Sequence, residues 1–86
     1  MFEFDEKKSI YNKNKHGIDF KSATQLWDDP NRIEIPARWV DEPRSLLIAR
    51  LKNEYWSAIF TWRKDRIRII SVRKSRKNEK EIYNSF

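Results

Sequence analysis

The feature that most constrains the fold is a pair of alternating runs joined by the dipeptide Lys64-Asp65. In Trp56–Arg63 an apolar residue stands at every second position, and Arg66–Arg73 begins with arginine alternating against isoleucine. Alternation of this kind lets a β-strand bury one face and expose the other to water. Two such runs separated by two residues predict an antiparallel hairpin.

The two-residue turn also sets the register of this hairpin, because residues directly opposite each other share a face. The predicted pairs are Arg63 with Arg66, Trp62 with Ile67, Thr61 with Arg68 and Phe60 with Ile69. Continued without a break, the register puts Arg73 on the opposite face from Arg63. A bulge near Ile70-Ser71, where the alternation breaks, would bring these two arginines to the same face.

A third alternating run, Arg44–Leu51, precedes the hairpin and would be joined to it by a turn over Lys52–Tyr55. One face of the three predicted strands is apolar and is expected to form the core: Leu47, Ala49, Leu51, Trp56, Ala58, Phe60, Trp62, Ile67 and Ile69. The other face surrounds Ile48, Ile59 and Ile70 with arginines. This apolar strip needs a cover, and the C-terminal helix, a nucleic acid and a partner chain are the alternatives.

The N-terminal part predicts a short helix over residues 6–15. Asp5 is a suitable N-cap, and Ile10 and Tyr11 are the expected apolar anchors. Gly17, the only glycine in the chain, suits the left-handed position that follows a helix. Phe2-Glu3-Phe4 before the helix reads as a short strand or an apolar lead-in.

A second helix is predicted over residues 20–28, with Asp19 as its cap and Pro30 just beyond its end. Its core-facing residues at helical spacing are Phe20, Ala23, Leu26 and Trp27. Residues 32–35 alternate as an edge strand that Pro36 limits. Ala37–Pro43 reads as a loop with Trp39 as its one bulky residue.

The C-terminal residues predict a third helix over residues 76–84, capped by Ser75. Arg76, Glu79, Ile82, Tyr83 and Phe86 recur at spacings of three and four and would share one face. Together these elements predict a single α+β domain over residues 1–86. It would have two N-terminal helices, an antiparallel sheet of three to four strands and a C-terminal helix.

Charge and composition narrow the possible functions. The net charge of +6 favours a polyanion as partner. The absence of cysteine excludes disulfides and thiolate metal sites, and a lone histidine makes a zinc site unexpected, so no cofactor is predicted. No apolar run approaches transmembrane length, and we expect a cytoplasmic protein without a membrane partner.

The groups left for chemistry are arginines together with His16, Glu79 and Tyr83. RNA cleavage without a metal needs a group to accept the 2′-hydroxyl proton, a group to protonate the leaving oxygen, and cations beside the phosphate. Arginine suits the last role because its planar fork binds phosphate through two hydrogen bonds. Each residue also has a structural explanation: His16 at a helix end, Glu79 paired with Arg76, and Tyr83 in packing.

Several short motifs resemble the BrnT family, the toxins of a bacterial type II toxin–antitoxin system. The matching positions are Lys15-His16-Gly17-Ile18, Phe20, Ala23, Asp29-Pro30, Arg44, Arg63, the block from Arg68 to Arg73, Glu79 and Tyr83. Their order and spacing extend over nearly the whole chain. The sequence departs from the family pattern at Phe4, at Ala49-Arg50 where a glycine is usual, and at Ser75.

The resemblance implies a RelE-like ribonuclease that cleaves RNA, halts translation and is neutralised by a cognate BrnA-like antitoxin. In such pairs operator DNA is bound through the antitoxin. The implied catalytic residues are His16, Arg63, Arg73, Glu79 and Tyr83. The expected RNA-binding residues are Lys15, Arg44, Arg66, Arg68, Lys74 and Arg76, and the expected partner-binding residues are Ile48, Ile59 and Ile70. In the proposed mechanism Arg63 and Arg73 bind the scissile phosphate, and Glu79, Tyr83 or His16 moves protons.

Two other classes of function fit the same residues. A non-catalytic nucleic-acid-binding module would use the arginine face for phosphate contacts and would bind RNA without degrading it. A protein-interaction module would use the isoleucine strip as a docking site and would depend on its partner for solubility.

Overall fold

The computed structural model describes residues 1–38 and 41–86 and has the predicted α+β architecture. The elements in chain order are β1 (Phe2–Glu3), α1 (Glu6–His16), α2 (Phe20–Ala23), a 3-10 helix (Thr24–Asp28), β2 (Ile33–Ala37), β3 (Arg44–Leu51), β4 (Glu54–Arg63), β5 (Arg66–Lys74) and α3 (Lys77–Asn84). The predicted second helix is therefore an α-helical turn that continues as a 3-10 helix. Trp39, in the predicted loop, lies outside the described residues.

The strands form one five-stranded sheet in the order β1-β5-β4-β3-β2. Three of the neighbouring pairs run antiparallel, but β1 pairs with β5 in parallel, so the sheet is mixed. The prediction of an antiparallel sheet of three to four strands was wrong in this respect. A strand of two residues carries too little alternation to reveal its direction, which is set by the chain that follows it.

The hairpin of β4 and β5 has the predicted register, with Arg63 opposite Arg66 and Phe60 opposite Ile69. The register then shifts, because Ile59 lies opposite Ser71 and Ile70 is an extra residue in β5. This is the bulge that the broken alternation indicated. Beyond it Arg73 lies opposite Ser57, on the same face as Arg63.

The other turn, between β3 and β4, is shorter than predicted. It comprises only Lys52 and Asn53, whose φ angles of 52° and 68° lie in the left-handed region. Both central residues of a type I′ hairpin turn need such angles, and asparagine adopts them readily. The pairing of Ala49 with Trp56 and of Leu47 with Ala58 nevertheless places the same residues in the core as predicted.

The main hydrophobic core lies between the sheet and the segment that contains α2 and the 3-10 helix. From the helical side it receives Ile18, Phe20, Ala23 and Leu26, and from the strands Leu47, Ala49, Trp56, Ala58, Phe60, Ile67, Ile69 and Val72. We call this side of the sheet the core face. Trp62 is on the same face but is 52% exposed, because it lies beyond the edge of the helical layer.

Helix α1 docks through polar side chains. Its predicted apolar anchors Ile10 and Tyr11 are 58% and 63% exposed, whereas Ser9 and Asn12 are buried. The Asn12 amide donates to the carbonyl of Val72 at 2.9 Å and accepts from the Val72 N–H at 3.1 Å. These two bonds satisfy the N–H and carbonyl of Val72 in β5, which lies beyond the end of β1. Without them this part of the sheet edge would have unpaired backbone groups.

Helix α3 covers the opposite side of the sheet, which we call the α3 face. Tyr83 forms a small second core there with Leu46 and Ile48, so the C-terminal helix is the cover that the sequence left undecided. The N-cap of α3 is Arg76 and not Ser75, whose hydroxyl contacts Ser57 instead. Phe86 follows the helix end and is 92% exposed, so it does not extend the buried side.

No helix in residues 1–38 and 41–86 is long and apolar enough to cross a membrane.

Candidate active site

Arg73 and Glu79 form the most tightly bonded ion pair on the α3 face. Nη1 and Nη2 of Arg73 each donate to one carboxylate oxygen of Glu79, both at 2.8 Å. The pair joins the end of β5 to the first turn of α3. Its geometry is the double fork that makes arginine–carboxylate pairs strong and directional.

The Glu79 carboxylate is buried within a small polar network. Its Oε1 also accepts from the Ser57 hydroxyl at 2.9 Å and from the backbone N–H of Arg76 at 2.8 Å. Hydrogen bonds from Arg73, assisted by those from Arg76 and Ser57, outweigh the effect of burial and lower the pKa of Glu79 to about 2. A carboxylate with such a low pKa is a weak proton acceptor near neutral pH.

The Tyr83 hydroxyl is likewise held by a hydrogen bond to a charged partner. Its hydroxyl donates to Oδ2 of Asp29 at 2.7 Å, and the same oxygen accepts from the backbone N–H of Arg50 at 2.8 Å. Burial, together with the Asp29 carboxylate, raises the pKa of Tyr83 to about 12. In this position the phenol anchors α3 to β3 and stays protonated.

His16 is the last residue of α1 and is half-buried. Helix α1 runs in the direction of β5, because β1 is parallel to β5 and Asn12 reaches Val72, five residues beyond the partner of Phe2. One helical turn beyond Asn12, about 5 Å, corresponds to about two residues of strand. His16 therefore lies at the same end of the sheet as Arg73, and no hydrogen bond joins its side chain to another described residue.

Arg63 and Arg73 share a face but are far apart. Arg63 is at the hairpin end of β4, whereas Arg73 lies opposite Ser57. Six residues of strand at about 3.3 Å each separate these positions, a span of about 20 Å. The prediction that both arginines bind one scissile phosphate is therefore wrong, because a single phosphate cannot bridge that distance.

The other basic residues divide between the same two ends. Lys15, Lys74 and Arg76 are exposed close to the end that holds Arg73. The hairpin half holds Arg44, Arg66 and Arg68 with Arg63. Two of these four are near carboxylates: Arg68 pairs with Glu3 at 3.1 Å and Arg63 approaches Glu42 at 3.7 Å. Arg44 Nε is buried without a partner among the described residues.

The isoleucine strip is narrower than predicted. Ile48 is fully buried beneath α3 and cannot contact a partner in this fold. Ile59 packs against the edge of the same cluster and is half-buried, and Ile70 is half-buried at the bulge. The prediction of Ile48 as a partner-binding residue is therefore wrong for a physical reason: Tyr83 already occupies the surface above it.

Three residues of this region were missed from the sequence: Ser57, Asp29 and Asn12. Ser57 bonds to both Ser75, at 2.7 Å, and Glu79. Asp29 was named only as a position that matches the family pattern, without a role of its own. A small polar residue at a position predicted to be on the α3 face was the only signal for Ser57, and it did not distinguish a buried network from a wetted surface.

Metal binding has no obvious site here. Among residues 1–38 and 41–86 no three His, Asp or Glu side chains come together in a way that could hold a metal ion. The Arg73 end has two carboxylates, Glu54 and Glu79, each paired with a cation, and it otherwise offers cations, one imidazole and N–H donors. Such groups can bind a phosphodiester, stabilise negative charge on it and exchange a proton.

Comparison with known proteins bears on which chemistry applies. A family model described as "Ribonuclease toxin, BrnT, of type II toxin-antitoxin system" matches residues 4–79. The matched region includes every element from α1 to β5 and ends at Glu79. None of the curated proteins compared with the chain matches it.

Proposed function

The chain belongs to the BrnT family of ribonuclease toxins of type II toxin–antitoxin systems, and on this premise we propose that it cleaves RNA at the end of the sheet that holds Arg73 and His16. The observation that carries the proposal is the fixed guanidinium of Arg73 at the sheet end where α1 brings His16. A ribonuclease needs a cation beside the phosphate and a group that exchanges protons near neutral pH.

In the proposed reaction the 2′-oxygen of a ribose attacks the adjacent phosphorus and the bond from phosphorus to the 5′-oxygen breaks. His16 accepts the 2′-proton, and the leaving 5′-oxygen takes a proton from solvent, to which this end is open. Arg73 stabilises the charge that grows on the phosphate oxygens. No step requires a metal, so activity should persist in EDTA.

Glu79 and Tyr83 have supporting roles in this proposal. Glu79 holds Arg73 in one orientation. Because Glu79 and Tyr83 are both held in hydrogen bonds, His16 is the one of the three candidate proton carriers that we assign to proton transfer. Support comes from the lowered pKa of Glu79 and the raised pKa of Tyr83. A group held in one protonation state by its partners is a poor proton shuttle near pH 7.

The biological consequence we propose is inhibition of translation through RNA cleavage, relieved by a cognate BrnA-like antitoxin that also carries the complex to operator DNA. The net charge of +6 supports both RNA and an acidic protein segment as ligands. We also propose that the fold is RelE-like. Its support is the antiparallel meander of β3, β4 and β5 with a helix laid across one face.

The decisive experiment compares His16→Gln with the wild type on labelled RNA in EDTA. We expect the variant to lose at least about a hundredfold in cleavage rate, the usual contribution of a general base. Because no hydrogen bond joins the His16 side chain to another described residue, the unfolding midpoint of the variant should stay unchanged. Arg32→Ala, an exposed arginine outside the proposed site, is the control and should cleave normally.

Arg73→Ala should likewise abolish cleavage and restore growth of cells that express the protein. It also leaves a buried carboxylate unpaired, which costs about 3–5 kcal/mol, so folding must be checked by circular dichroism. A folded, fully toxic Arg73→Ala would contradict the proposal. RNA that is retarded on a gel but remains intact would instead identify a non-catalytic binding module.

A further inference from the structure

A cleft of about 220 Å³ opens beside the end of α1. It lies on the core-face side of the sheet, between Gly17, the segment containing α2 and the 3-10 helix, and the turn between β3 and β4. Pockets for whole drug-sized ligands measure about 300–1,000 Å³. The space therefore suits one planar ring system and not a complete nucleotide.

The lining of the cleft combines apolar walls with a polar rim. Ile18, Leu51 and Trp56 form the apolar part, and Gln25, Lys13 and Lys52 are among the polar residues around it. The Gln25 side chain is exposed and makes no hydrogen bond to another described residue. A primary amide offers both a donor and an acceptor, as a nucleobase edge does.

The cleft adjoins the proposed catalytic end. Gly17 in its lining directly follows His16, and Trp56 lies below Lys74, whose Nζ is 6.0 Å from the centre of the indole ring. Lys74 also bonds to Glu54, a further lining residue, at 2.9 Å. An RNA strand that passes around this end of the sheet, from Arg73 on the α3 face to His16, could therefore place the adjoining base at the opening on the core-face side.

We propose that this cleft binds one nucleobase of the RNA next to the cleaved phosphate, and that Gln25 reads its edge. The apolar wall accepts the face of the base, the Gln25 amide pairs with its polar edge, and Lys13 and Lys52 attract the neighbouring phosphates. The location beside the cut rests on the proposed function, whereas the binding of a base to the cleft does not.

Binding can be measured without cleavage. We would titrate ¹⁵N-labelled protein with each of the four nucleoside 3′-monophosphates and, separately, with inorganic phosphate. Gly17 is the only glycine, so its amide peak is readily identified and reports on the cleft directly. At least one nucleotide should shift the Gly17 and Gln25 amide peaks saturably, and inorganic phosphate should not.

Gln25→Ala should weaken that binding by about fivefold, the value of one hydrogen bond. The matched control is Asn78→Ala, which removes an exposed amide from α3 and should leave the affinity unchanged. Equal shifts with phosphate and with all four nucleotides would show an anion site only. That result, or an unchanged affinity of Gln25→Ala, would overturn the proposal.

Sequencing the ends of cleaved RNA separates this proposal from the proposed function. The wild type should prefer one base beside the cut, and Gln25→Ala should broaden that preference while still cleaving. The same base preference in both proteins would refute a reading role for Gln25 and leave the nuclease intact. Selective nucleotide binding without any RNA cleavage would support the cleft and refute the nuclease.

Discussion

At the scale of single residues, the pair of Arg73 and Glu79 changes how the catalytic candidates are interpreted. From sequence, Glu79 was one of three groups that could move a proton. The Glu79 carboxylate accepts two hydrogen bonds from the Arg73 guanidinium and one from Ser57, and its pKa is about 2; these properties describe a residue that orients its neighbour. His16 has no comparable partner among residues 1–38 and 41–86 and is therefore the stronger candidate for the base.

Replacing Glu79 by Gln tests this interpretation. The amide keeps the shape and one acceptor oxygen, so Arg73 should remain close to its place and the cleavage rate should fall by less than about tenfold. Loss of a true general base costs about 10²–10⁴-fold. Single-turnover rates of Glu79→Gln and His16→Gln, measured side by side, make the comparison, and equal large losses would restore Glu79 as a proton carrier.

At this scale the sequence named candidate residues but could not show which partners their side chains bind. Tyr83 and Glu79 stand one helical turn apart, which predicted a shared face, and they do share the buried side of α3. Their partners, Asp29 and Ser57, are 54 and 22 residues away in the chain. A bond between residues so far apart leaves no local pattern, so the protonation states became visible only with the fold.

At the scale of elements, α1 is the instructive case. Its apolar residues face solvent, and a single buried asparagine supplies the attachment to the sheet. Asn12 also donates to the carbonyl of Ile18 at 2.8 Å, so it fixes the chain reversal after the helix as well. A helix held in this way is positioned by direction-dependent bonds more than by buried area.

Asn12→Ala should therefore destabilise the protein strongly. It leaves the N–H and carbonyl of Val72 and the carbonyl of Ile18 without partners, and each buried unpaired group costs about 1–3 kcal/mol. We expect a loss of about 3 kcal/mol in the free energy of unfolding, measured by urea titration. Asn14→Ala, on the exposed side of the same helix, should change it by less than about 0.5 kcal/mol. Similar values for the two variants would contradict the docking role of Asn12.

The success of prediction also differed between elements. The turn of the hairpin and the register beside it, from Arg63–Arg66 to Phe60–Ile69, were predicted to the residue because turn length and alternation both act locally. The anchors of α1 were predicted wrongly because the rule that apolar residues face the core does not hold for a helix that caps a strand edge. An edge offers N–H and carbonyl groups, and the matching side chain is then an amide.

At the scale of the whole molecule, basic residues gather at two ends of one sheet about 20 Å apart. One end contains His16 and the rigid Arg73, and the other contains the hairpin arginines, of which Arg63 and Arg68 are near carboxylates. A polyanion can contact both ends, but the one histidine of the chain is at the Arg73 end. The hairpin end is therefore better suited to holding a distant part of the RNA.

Global stability should depend on pH through Glu79. The pKa of Glu79 is about 2 in the folded protein and has its ordinary value of 4.5 when unfolded, so its contribution is complete above pH 4.5 and is lost as pH falls towards 2. Linkage gives a loss on the order of 2 kcal/mol between pH 6 and pH 3. Urea titrations at both pH values should show that the free energy of unfolding falls by that much more in the wild type than in Glu79→Gln. Equal falls in the two proteins would contradict this role of Glu79.

The bulge at Ile70 has a consequence for how this chain tolerates change in length. The extra residue shifts the alternation of β5 by one position: odd-numbered residues face the core before it, and even-numbered residues face the core after it. Arg73 lies on the α3 face only because of this shift. Deleting Ile70 would remove the extra residue and the bulge together. Ser71 would then follow Ile69 directly and stay opposite Ile59, Val72 would stay in the core and Arg73 would stay on the α3 face, so we expect the site to survive this deletion.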